Sequence, residues 1–445
     1  MNAAARAAPH TSLSVLDGIA IIVGVVVGIG LFKAPSLVAA NTGSEWAFIG
    51  LWIAGGLITL AGALVYAELA TLHPGAGGEY TFLSRGIGRT VALLFAWGRI
   101  SVIQTGALAA VAFVFGDYAQ AIVPLGPSGP AVYAVMVLAV MTLINLRGTR
   151  QGKITQNLLS GLTFMVILMI LAAAFVAAEP ATPPPARESS DGGGSLGLAM
   201  VFVLLTYGGW NEVAYVSGEF RDRRRGAMRV LVLGTLTIMI LYLLTNLAYL
   251  AVLGLEGVRQ SPAVAADVIR AVAGDAASVA LSIAVCIAAL STLNASILTG
   301  ARVYFALGSD LRGFGSLGAW DESGNNPRRA ILVQSSVAMG LILFGAMQRD
   351  GFQTMVEYTA PVFWLFMLLV GVSYFRLRRD DVRPLLLARP LHPVVPLLFC
   401  AACAYLVYAS VLHAGLGALA GLGVLLVGLP LILILRRRDE MIAAE

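Results

Sequence analysis

Of the 445 residues, 58% are apolar and only 12% charged, about half the ~25% charge typical of soluble domains, which excludes a water-solvated globular fold. The net charge of +5 arises from clusters such as Arg223, Arg224 and Arg225, or Arg436, Arg437 and Arg438. These flank apolar runs beside an anionic leaflet and give no reason to invoke nucleic acid.

Apolar runs long enough to cross a ~30 Å hydrocarbon core as helices recur along the chain. Twelve spans are predicted: 15–40, 47–70, 91–123, 130–146, 154–178, 196–217, 230–254, 277–307, 329–347, 355–375, 393–412 and 415–435. Residues 1–14 are then a tail, 15–178 a first block of five spans and 179–195 a flexible linker rich in Pro, Ser and Gly. Residues 196–376 form a second block of five, 377–436 hold two further spans, and 437–445 are a tail. The first run is too long for a removable signal peptide and lacks a small-residue cleavage site, so it is expected to stay.

Lys and Arg are retained on the cytoplasmic side of short loops. With both termini inside, the outer loops hold Arg187, Arg259, Arg270 and Arg349, four more (Lys33, Arg99, Arg302 and Arg329) lie within spans, the last two at the cytoplasmic ends of theirs, and the other 21 of 29 basic residues are cytoplasmic. The expectation is a multi-pass protein of the cell inner membrane with cytoplasmic N- and C-termini.

The first span carries Gly24, Gly28 and Gly30 in the run IVGVVVGIGLFKAP, closed by Pro35, and the sixth carries Gly208 and Gly209 in LLTYGGWNEV. These are equivalent positions if the two blocks are inverted repeats. An unwound turn in hydrocarbon leaves backbone groups unpaired, at several kcal/mol, unless it lines a polar cavity or meets a ligand. Glycines of this kind also serve close helix packing, the alternative reading.

Two breaks suit a zwitterion. Around Val27, Gly28, Ile29, Gly30 and Leu31, the amides opening the outer half of span one are expected to hold a carboxylate at a positive helix end. Carbonyls near Leu205, Thr206 and Gly208 are expected to accept ammonium protons. Side chains at Ile29, Gln104, Thr206, Tyr207, Trp210 and Asn294 would then select the solute, although the amides Gln104 and Asn294 serve equally well as interhelical hydrogen-bonding groups.

Charges within spans need a partner or water. Lys33 is expected to snorkel toward the surface rather than to draw anions into an outer vestibule, and Arg99 to pair with a carboxylate at an inner gate rather than to bind substrate. Glu212, just after the second break, is either a structural hydrogen-bonding group or a proton acceptor for coupling. Glu68 and Asp117 stand near helix ends and call for no special role. Cys286, Cys400 and Cys403 lie inside spans as small apolar residues, suggesting neither disulfide nor metal site. Of the four histidines only His413 lies at a helix end, and no catalytic constellation appears, so no enzyme and no cofactor is expected.

These runs resemble the amino acid, polyamine and organocation (APC) superfamily, in particular bacterial permeases near the L-type amino acid transporters. Residues 24–35 are similar to its first-helix signature. Gly77, Gly78, Glu79 and Tyr80 resemble its first cytoplasmic loop, YGGWNEVAYVSGE at 207–219 its sixth-helix signature, and STLNASILTGAR at 291–302 its eighth helix. The resemblance implies an all-α LeuT-like membrane fold: two inverted five-helix repeats with helices one and six broken, plus two C-terminal helices. Many relatives carry a Ser at the place of Ile29, an aromatic gate at that of Leu205, and a fifth-helix Lys at that of Thr163. With that Lys gone, Thr163, Ser291 and Thr292 are candidate oxygen donors to a coupling sodium ion. The segment from Pro124 to Pro130 lacks the Cys that tethers a glycoprotein subunit to animal relatives, so no disulfide-linked partner is expected.

The function implied is a secondary carrier of neutral amino acids, working by alternating access through exchange or through proton or sodium symport. The alternatives are a cationic amine or polyamine carrier, which calls for acidic groups lining the cavity, and a non-transporting amino acid sensor.

Overall fold

The computed structural model describes residues 15, 19, 22–23, 26–27, 30–73, 78–147, 161–162, 165, 167–172, 195–211, 226–310, 312–319, 321, 326–348, 350–379, 391–412 and 415–444. In chain order these build α1 (Gly30–Ala40), α2 (Glu45–Leu72), α3 (Gly78–Gly86), α4 (Arg89–Gly98), a π-turn (Arg99–Ile103), α5 (Gln104–Ile122) and α6 (Gly129–Leu146). Then come α7 (Leu196–Thr206), α8 (Gly226–Gln260), α9 (Val264–Asp310), a 3₁₀ turn (Arg312–Gly318), α10 (Arg328–Ala346), α11 (Gly351–Arg379), α12 (Leu391–Leu412) and α13 (Leu416–Ala444). The described residues contain no strand, only an isolated bridge between Asp321 and Asn326.

Nine helices among the described residues are long and apolar enough to cross a membrane. Each coincides with one of the runs predicted from hydropathy, while α1 and α7 are shorter apolar helices. Those two match the outer part of the first predicted span and the beginning of the sixth. The fifth predicted span, 154–178, lies largely outside the described residues, as does nearly all of the linker.

Burial follows membrane logic. Large apolar side chains such as Leu143, Ile240, Leu398 and Leu426 are exposed on helix faces, whereas Gln104, Asn145, Asn246, Asn294 and Gln334 are buried. In lipid an apolar exterior carries no penalty, and polar groups are kept inside where they find partners. Helix α5 packs against both α9 and α11, with α2 packed on α8, α6 on α5, and α12 and α13 on α11.

Local sequence accounts for several boundaries. Ser44 caps α2 by accepting the Ala47 N–H at 3.2 Å, and Ser195 does the same for α7 from Leu198 at 3.2 Å. Gly254 (φ 65°) and Gly274 (φ 79°) interrupt α8 and α9 with left-handed backbone, so each predicted span continues past a bend into a short helix. The segment predicted as a loop after α2 holds α3, whose Gly78, Glu79, Phe82, Leu83 and Gly86 are buried, and α3 packs against α11. Its residues alternate polar and apolar too closely for a hydropathy average to mark a helix.

Candidate functional site

Helix α7 ends at Thr206, and Tyr207 to Gly209 form a turn in which Gly209 takes φ 105°, a conformation open to glycine at least cost. Across from it the chain bends at Val27 and α1 begins at Gly30. The two interruptions touch: a β-carbon placed on Gly30 would lie 3.1 Å from Thr206 Cγ2 and 3.3 Å from its Cα. The start of one helix, where amides lack intrahelical acceptors, thus meets the end of another, where carbonyls lack donors.

Three tyrosines direct their hydroxyls to carbonyls at the breaks or within α1. The Tyr242 hydroxyl lies 2.7 Å from Val26 O and 3.0 Å from Thr206 O, joining both interruptions through one group. Seven residues on, along the same face of α8, the Tyr249 hydroxyl reaches Leu31 O at 3.4 Å. Leu31 O has no helical donor because Pro35, four residues ahead, has no N–H. Tyr118 of α5 donates to Phe32 O at 3.0 Å.

The structure gathers some predicted residues here and sends others elsewhere. Val27 and Leu31 are buried beside the contact, and Val27 N–H bonds Val23 O at 2.8 Å. The Leu205 carbonyl accepts the Gly208 N–H at 2.9 Å, and the Thr206 hydroxyl donates to Phe202 O at 2.8 Å. Tyr207 turns toward α2, donating to Trp52 O at 3.1 Å. Trp210 also packs on α2, edge-on to Tyr66 at 4.9 Å and over Gly62. Gln104 opens α5 after the π-turn and donates to Ser296 O of α9 at 3.0 Å, beside Gln334. Asn294 accepts from Asn145 of α6 at 3.0 Å, an interhelical bond of the kind the sequence left open. Ser291 is buried on α9, and the Thr292 hydroxyl bonds Ala288 O at 3.3 Å. Gly28, Ile29, Thr163 and Glu212 lie outside the described residues.

Helix distortions near Gln104 follow the same rule. A π-turn displaces carbonyls from the α-ladder. Here Ile100 O accepts from Tyr304, and Ser101 O accepts from Tyr358 at 2.9 Å.

Charged groups pair between helices, and three sequence expectations are corrected. Lys33 does not snorkel: it is 7% exposed, with Nζ 2.9 Å from Asp117 Oδ2 and 3.8 Å from Asp350 Oδ2. Asp117 therefore has a partner role that its place near a helix end did not suggest. Glu68, 1% exposed, accepts from Tyr374 at 2.9 Å and from Arg378, so it too is engaged rather than idle. Burial of an unpaired ion costs several kcal/mol, which is why each sits against opposite charge. Arg99 agrees with expectation, its Nη1 lying 3.9 Å from Glu79 Oε2, and Glu79 also accepts from Asn211, two residues past Gly209, at 2.6 Å. The sequence does not mark Glu79 as the partner of Arg99, nor Asn211 as a donor to Glu79. The signal available was Arg99 itself, a buried cation needing an acid. No group of three or more His, Cys, Asp or Glu among the described residues is arranged to hold a metal ion.

Comparison with known proteins bears on this arrangement. The profile of the amino acid permease family matches residues 13–429. The b(0,+)-type amino acid transporter 1 of Rattus norvegicus is 28% identical over 388 residues, covering 84% of this chain and 78% of that protein. Its Homo sapiens counterpart is 26% identical over 416 residues, covering 90% and 82%. The large neutral amino acids transporter small subunit 2 of Oryctolagus cuniculus is 25% identical over 439 residues, covering 94% and 79%.

Proposed function

The chain belongs to the amino acid permease family, within the APC superfamily, and from that premise we propose that it carries neutral amino acids across the cell inner membrane by alternating access. It is a multi-pass membrane protein of a transporter family and not of an enzyme family. The proposed architecture has twelve spans as two inverted five-helix repeats plus two C-terminal helices, with cytoplasmic termini. Nine spans, two half-length helices and the apolar run at 154–178 support that number.

The observation that carries the reading is the contact of Gly30 with Thr206, bridged by the Tyr242 hydroxyl. A free amino acid needs donors for its carboxylate and acceptors for its ammonium within a few ångströms of each other. Opposed helix ends supply both, already oriented, with dipoles of the correct sign. The carboxylate is placed at the first amides of α1, around Gly30 and Leu31, and the ammonium at the carbonyls of Leu205, Thr206 and Gly208, where it competes with the groups now bonded there. Val27, Gly28, Ile29, Tyr207, Trp210, Gln104 and Asn294 complete the proposed site as walls or supports. Neutral substrates are favoured because the buried acids Glu68 and Glu79 lie against Arg378 and Arg99. Transport is by exchange or is coupled to protons through Glu212 or to sodium through Thr163, Ser291 and Thr292, without a disulfide-linked subunit.

Gly30→Leu tests the placement. The new side chain must enter space now held by Thr206, so affinity for a bound neutral amino acid is expected to fall by about 100-fold, or ~3 kcal/mol. Wild-type affinity in a folded Gly30→Leu protein would remove the carboxylate from α1.

A further inference from the structure

The half-length helix α1 carries one charge, Lys33, three residues past Gly30. Its ammonium is shared by two carboxylates from different parts of the bundle, Asp117 near the end of α5 at 2.9 Å and Asp350 at the start of α11 at 3.8 Å. Asp350 is not a loose partner. Its other carboxylate oxygen accepts the Gln353 N–H at 2.9 Å, and its carbonyl accepts the Thr354 hydroxyl at 2.7 Å, so it caps α11 while facing Lys33.

We propose that Lys33 is a positioning residue that sets the balance between the two faces of the carrier, its ion pairs with Asp117 and Asp350 tying α1 to α5 and α11 and holding this end closed. The role rests on the carrier reading above. Any movement of α1 that admits a solute to Gly30 from this end carries Lys33 away from two anchors that belong to separate helices. Separating them exposes one cation and two anions together, so the end stays shut until all three are hydrated. Glu79, set between Arg99 and Asn211, belongs to a separate cluster that Lys33 does not reach. A change at Lys33 therefore loosens one of the two clusters and leaves the other in place.

That asymmetry separates positioning from general support. When a carrier alternates between two forms, favouring the form open on one side lowers the half-saturation constant on that side and raises it on the other. Loss of folded protein lowers maximal rate and leaves both constants in place.

The experiment measures KM for labelled alanine or leucine, whichever the wild type transports, from each face of vesicles carrying the protein in one orientation. Lys33→Met and Asp350→Asn are compared with wild type and with the charge-exchanged pair Lys33→Asp with Asp117→Lys. For Lys33→Met we expect KM to fall on the Lys33 face and rise on the opposite face, changing their ratio by about fivefold or more. Asp350→Asn, which keeps the shorter ion pair and the fold around it, should move the ratio in the same direction by less, and the exchanged pair should return it toward wild type. Constants that stay fixed in both single variants, or move together, overturn the role of Lys33 while leaving the carrier reading intact. A wild type with no uptake overturns the carrier reading instead.

Discussion

At the scale of single residues, the molecule is organised by groups that lack a partner in their own helix. Tyr242 shares its single hydroxyl proton between two carbonyls, Val26 O and Thr206 O, from two interrupted segments. In Tyr242→Phe both carbonyls lose that donor in a site without bulk water. Stability is expected to drop by about 1–3 kcal/mol, seen as an earlier thermal melt in detergent, together with weaker binding of a neutral amino acid. A variant with both properties unchanged would show that the hydroxyl is dispensable. Arg378→Ala is a harsher test, because Glu68 is 1% exposed and would lose its cation while the Tyr374 hydroxyl still faces it. A loss of about 3 kcal/mol is expected, with recovery when Glu68→Gln is added. If the double variant melts no later than Arg378→Ala alone, the cost lies in packing rather than in the ion pair.

At the scale of elements, α1 shows how one proline directs its surroundings. Pro35 denies Leu31 O a helical donor, and the Tyr249 hydroxyl takes its place from α8. Pro35→Ala restores the missing N–H, so Tyr249→Phe should cost about 1 kcal/mol less in that background than in wild type. Equal costs in the two backgrounds would separate Pro35 from Tyr249. The sequence made α1 and α7 legible as half-length elements, because Gly30, Pro35, Gly208 and Gly209 change backbone behaviour without reference to any neighbour. It did not make their supports legible. Tyr118, Tyr242 and Tyr249 look like ordinary intramembrane aromatics until a carbonyl 86 to 218 positions away is placed against them. Lys33 was misread for the same reason. Snorkelling follows from the side chain alone, whereas pairing depends on Asp117 and Asp350, which only the packed bundle brings near.

At the scale of the whole molecule, hydropathy located the nine spans found among the described residues, because lipid imposes a length and a composition on every helix that crosses it. The buried amides were legible as residues needing partners, but their partners were not: Asn294 bonds Asn145 and Gln104 bonds Ser296. The resulting body brings the start of α1 against the end of α7 and holds two separate groups of paired charges, Lys33 with Asp117 and Asp350, and Arg99 with Glu79. Uptake of labelled neutral amino acids into proteoliposomes, with and without preloaded unlabelled substrate, a pH gradient or sodium, tests the central claim most directly. The account predicts saturable uptake of at least one neutral amino acid, stimulated by one of these conditions, which would identify the coupling mode. Folded protein that takes up none of them under any condition would contradict it.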